Sequence, residues 1–157
     1  MKRIILLIAL ILPLSVMAQI PAIEKLGKEA KKQRDVEYES VGSFMLGMAS
    51  KFANKEQRAT FEMLDHIDMI VCQNKECEPT LLAKTKTIIR NIGAEFLASN
   101  SDERGKNEVY AITKDSVVSE LIILTFGKDG GLAIVAMSGK IPTNRLEEIS
   151  KLTPPNK

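Results

Sequence analysis

Apolar and polar positions change their period several times along the chain, and each change predicts an element. Ile20, Ile23, Leu26 and Ala30 recur at helical spacing, while Lys25, Lys28, Glu29, Lys31, Lys32 and Arg34 fill the other faces. This predicts a narrow amphipathic leading helix over residues 19–34. From Val36 the period drops to two, with Val36 and Tyr38 alternating with Glu37 and Glu39, and a strand is expected over 36–44. Residues 45–64 scatter Phe52, Ala59, Phe61, Met63 and Leu64 among charges, which reads as short helix and turn. In the next strand Ile67, Met69 and Val71 alternate with His66, Asp68 and Ile70. That pattern turns one apolar row inward and leaves His66 and Asp68 on a solvated, non-core face.

Glu78 and Pro79 open a helix whose Leu81, Leu82, Thr85, Ile88, Ile89, Ile92 and Phe96 share one face. Residues 99–107 read as a polar loop, followed by strands over 108–113, 117–126 and 132–138 separated by Lys114-Asp115-Ser116 and a glycine-rich turn at 127–131. Leu121 to Leu124 is apolar on both faces and predicts a central strand. A short helix over 143–152 and a tail at 153–157 close the chain. The fold class implied is α+β: a mixed, mostly antiparallel sheet of about five strands with helices packed mainly on one face.

The first residues change the picture. Lys2 and Arg3 precede an apolar run from Ile4 to Leu12, Pro13 ends it, and Val16 and Ala18 are the small residues before Gln19. Residues 1–18 read as a signal peptide cleaved between Ala18 and Gln19, leaving one domain over 19–157. The run falls short of the ~20 apolar residues that span a bilayer, so no integral membrane segment is expected after cleavage. The product is expected to be exported, periplasmic or secreted, and soluble. The chain has a net charge of +2, and the leader carries two basic residues and no acidic ones, so the remainder is neutral. A neutral domain without an aromatic and basic stripe has no electrostatic footprint for nucleic acid.

Cys72 and Cys77 are the only cysteines. In an exported chain an even, closely spaced pair reads first as a disulfide. Two structural thiols, a redox pair beside a helix start, or a metal site remain alternatives, although C-x-x-C spacing is lacking and His66 is the only histidine.

The leading helix, the Val36 to Leu46 segment, Leu64-Asp65-His66-Ile67-Asp68, and the run from Ala133 to Ile141 before a short helix resemble the DUF4252 family. This is a domain of unknown function found in short exported proteins of Bacteroidetes. The resemblance implies an α+β fold and, from the sigma factor genes often found near such genes, an envelope-response setting. It brings no catalytic residues to carry over.

His66 with Asp65 and Asp68 is the nearest approach to a catalytic cluster, but a general base also needs a pocket and an oriented substrate. No G-x-S-x-G or H-E-x-x-H motif is present, and neither the 127–131 turn nor Ser138-Gly139-Lys140 matches a phosphate loop. No cofactor is called for. Met45 and Met48 lie in an apolar stretch of weak periodicity that, with the leading helix, is a candidate partner surface. The expected function is a non-catalytic envelope module binding a protein or a small ligand. An enzyme with an unrecognised site near His66 and a thiol module using Cys72 and Cys77 are the alternatives.

Overall fold

The computed structural model describes residues 20–150, so the Ala18/Gln19 junction and the 153–157 tail lie outside the described residues. Helix α1 (Pro21–Ala30) leads into β1 (Val36–Gly42), which is followed by α2 (Ser43–Phe52), α3 (Lys55–Glu62) and β2 (Leu64–Cys72). Then come α4 (Glu78–Asn91), β3 (Glu95–Asp102), β4 (Gly105–Lys114), β5 (Val117–Gly127), β6 (Leu132–Pro142), a 3₁₀ turn (Thr143–Arg145) and α5 (Leu146–Ser150). The six strands form one sheet in the order β1-β2-β6-β5-β4-β3, and every neighbouring pair is antiparallel. The α+β class holds, with six strands and no parallel pair.

The additional strand is β3. Helix α4 stops at Asn91 instead of running on to Phe96, because Gly93 adopts φ +72. Ala94 N–H then donates back to Ile89 O, and Gly93 N–H to Arg90 O, closing the helix end as a glycine-capped turn. Phe96 therefore falls in β3, and much of the expected 99–107 loop is strand and hairpin. At the hairpin Asp102 Oδ1 accepts from Arg104 N–H and Gly105 N–H.

Both faces of the sheet are buried, rather than mainly one. On one face α1 and α4 cover Val36, Ile70, Ile122, Leu124, Ile134 and Ala136. The residues that set the leading helix's apolar period, Ile20, Ile23, Leu26 and Ala30, are all buried there. On the other face Leu46 of α2, Phe61 of α3 and Ile149 of α5 pack with Leu64, Leu121, Ile123, Val135 and Met137. Leu121 to Leu124 is buried on both sides, as a central strand requires.

Cys72 and Cys77 form a disulfide with Cα atoms 6.2 Å apart, pinning the end of β2 to the start of α4. The intervening loop is fixed by Asn74, whose Oδ1 accepts from Glu76 N–H and Cys77 N–H while its Nδ2 donates to Asp35 Oδ2. Gly93→Ala is expected to strain the α4 terminus and to cost about 1 kcal/mol, read as a lower urea midpoint with an unchanged slope.

Candidate functional site

His66 and Asp68 do not face solvent. The alternation that turns Ile67 and Met69 toward α2 and α3 turns His66, Asp68, Ile70 and Cys72 toward the layer formed by α1 and α4. Asp68 is 1% exposed and His66 8%. Alternation alone implies one wet face, whereas β2 sits inside a sheet that is covered on both.

A buried carboxylate needs donors, and Asp68 has them. Tyr38 OH on β1 donates to Asp68 Oδ1 at 2.8 Å, and His66 Nε2 lies 3.2 Å from Asp68 Oδ2. Ser40 Oγ is 3.0 Å from the same His66 nitrogen. Burial pushes the Tyr38 hydroxyl up to about 12; the Ser40 contact acts against this, and the nearby Asp68 adds to it. Tyr38 is held from above by α1, where Gly27 leaves room for its ring: a Cβ at residue 27 would come within 2.2 Å of Tyr38 Cδ2. The absence of a side chain at Gly27 thus sets the position of the phenol that satisfies Asp68.

This geometry differs from a nucleophilic relay. In a Ser-His-Asp relay the acid orients one ring nitrogen and the hydroxyl meets the other. Here Ser40 and Asp68 converge on the single atom Nε2. One ring nitrogen offers either a hydrogen or a lone pair, so Nε2 cannot both donate to Asp68 and accept from Ser40. The row continues sideways through Ser138 on β6 to Glu120 on β5, whose carboxyl is raised by burial. Asp65, the third member of the expected cluster, points away from the layer and is exposed.

A second polar cluster, not anticipated from the sequence, ties α4 to β4. Lys86 contacts both Glu108 and Tyr110, Lys106 Nζ lies 2.8 Å from Glu108, and Tyr110 OH donates to Glu108 Oε2. Burial acts to raise the Glu108 carboxyl, but the bonds from Lys106, Lys86 and Tyr110 outweigh it and hold the group down to about 2. Phe96 packs edge-on against Tyr110 with ring centroids 5.5 Å apart.

Two surfaces remain. An open groove of about 460 Å³ lies between α1 and α4, lined by Ala22, Leu26, Ala83 and Ile88 together with Lys25, Glu29 and Lys84. On the opposite side of the sheet, α2 buries only Leu46 among its side chains. Its Phe44 is 76% exposed and Phe52 88%, with Met45 and Met48 exposed between them. Of the two expected partner surfaces, the leading helix spends its apolar stripe on its own sheet, and the 44–52 segment does not. Among the described residues no group of three or more His, Cys, Asp or Glu side chains is gathered as a metal site, and no helix is long and apolar enough to cross a membrane.

The family model described as Domain of unknown function (DUF4252) matches residues 30–149, and the chain belongs to that family. No curated protein and no solved structure matches it.

Two outcomes follow from the clusters. Tyr38→Phe leaves one buried Asp68 oxygen without its donor and is expected to cost about 1–3 kcal/mol in chemical denaturation. Glu108 is lower in the folded than in the unfolded chain. Its contribution is therefore complete above pH 4.5 and is lost as pH falls toward about 2. Glu108→Gln is expected to flatten that acid limb of stability against pH while leaving the neutral and alkaline limbs parallel to wild type.

Proposed function

We propose that this DUF4252 protein is an exported, non-catalytic envelope module that makes its contacts through α2. The observation that carries the reading is the exposed run of Phe44, Met45, Met48 and Phe52 on one short helix. Large apolar side chains gathered on a surface mark contact sites, because leaving them in water forfeits about 25 cal/mol for each Å² of apolar surface. The polar cluster around His66 supports the non-catalytic part, since Ser40 and Asp68 meet the same ring nitrogen and Tyr38 is engaged with Asp68. The groove between α1 and α4 supports a small amphiphile as a further ligand, because its lining combines Ala22, Leu26, Ala83 and Ile88 with the charged Lys25, Glu29 and Lys84. Export rests on the leader pattern of residues 1–18 and accords with the Cys72–Cys77 disulfide, which belongs in an oxidising compartment.

Crosslinking from a native envelope fraction, followed by mass spectrometry, tests the reading. Wild type is expected to capture a defined protein that a folded Phe44→Ser/Phe52→Ser variant loses. Native mass spectrometry of the same preparation reads an amphiphile retained in the groove as added mass. A preparation that yields no captured protein and no added mass would contradict the proposal.

A further inference from the structure

We propose that the α2 stripe is an isologous contact between two copies of this chain, with the two α2 helices packed antiparallel about a twofold axis at Met48. The inference rests on reading α2 as the contact surface, and it commits that surface to one occupant.

Phe44, Met48 and Phe52 lie at i, i+4 and i+8, so they form one stripe along the helix. A twofold interface must be self-complementary, because the same patch meets itself. This stripe satisfies that condition by its order: it reads the same in both directions. An antiparallel copy centred on Met48 sets Phe44 against the partner's Phe52, Met48 against the partner's Met48, and Phe52 against the partner's Phe44.

The flanking positions agree with that register. Gly47 and the partner's Ala49 fall together on the flank of the seam, where both are too small to obstruct the approach; the space around the Gly47 Cβ position is empty. Met45 falls opposite the partner's Lys51, whose methylene stem can cover it while the ammonium stays in water. No acidic residue occurs between Ser43 and Lys55, so no carboxylate is desolvated at the seam.

The area limits the strength. Two phenylalanines and two methionines at these exposures offer on the order of 500 Å² per copy, about 1,000 Å² in all when fully covered, which places the contact at the weak and reversible end of specific associations. A weak dimer is therefore expected.

Sedimentation equilibrium of the purified protein, up to about 1 mM, reads the association directly. Wild type is expected to pass from monomer to dimer. Phe44→Ser/Phe52→Ser is expected to stay monomeric with an unchanged circular dichroism spectrum and thermal midpoint. Met48→Cys, at the axis, is expected to crosslink to its own copy under a short bismaleimide, and Ser43→Cys, far from the axis, is not. A monomer at every concentration, a dimer that survives in the double variant, or equal crosslinking at 43 and 48 would each overturn the inference. If wild type is monomeric and the double variant still loses its envelope partner, or loses binding to anionic phospholipid vesicles, the dimer fails while the reading of α2 as a contact surface stands. If the double variant changes nothing, both fail.

Discussion

Strand β6 is buried without a break from Leu132 to Gly139, and the rest of the fold answers to that constraint. A strand with no wet face must lie inside the sheet and be covered twice. It takes β2 on one side and β5 on the other, and each face then needs its own helical layer. The layers are unequal. Helices α1 and α4 bring a broad set of aliphatic side chains to their face. Helices α3 and α5 are shorter, and α2, as long as α1, reaches the sheet through Leu46 while turning its aromatic stripe outward. The thin layer suffices to keep β6 dry, and it leaves apolar surface over.

The thicker layer covers Asp68, an acidic side chain buried among aliphatic ones. Asp68 is tolerated because Tyr38 and His66 both reach it, and Tyr38 is positioned because Gly27 lets its ring lie against α1. Sequence, packing and chemistry are joined here in one chain of dependence: a missing side chain on a helix, an aromatic ring beneath it, and a satisfied carboxylate below. Such a network holds the leading helix in register on the sheet, and its groups are committed to one another.

Much of this was legible in the residues. The leading helix, the central place of Leu121 to Leu124, the meander of the last three strands and the pairing of Cys72 with Cys77 follow from periodicity, turn chemistry and cysteine spacing. The orientation of His66 and Asp68 was misjudged because alternation identifies two rows without saying that one is wet. The available signal was that Ile70 and Cys72 share a row with them. Strand β3 went unseen because Glu95–Asp102 is exposed on both faces and shows no alternation, and Gly93 was the mark of the helix end before it. The α2 stripe was visible as apolar residues, yet the same spacing serves a core or a partner, and only burial separates the two.

The claim at the centre of this account is that two copies of the chain meet through α2 while the body stays fixed. Methionine methyl NMR measures this directly, because Met45 and Met48 lie on the stripe and Met69 and Met137 lie in the sheet. As the labelled protein is raised from dilute to concentrated solution, the account predicts that the Met45 and Met48 methyl signals shift or broaden while those of Met69 and Met137 hold their positions. Movement of the Met69 and Met137 signals with those of Met45 and Met48 unchanged would contradict it.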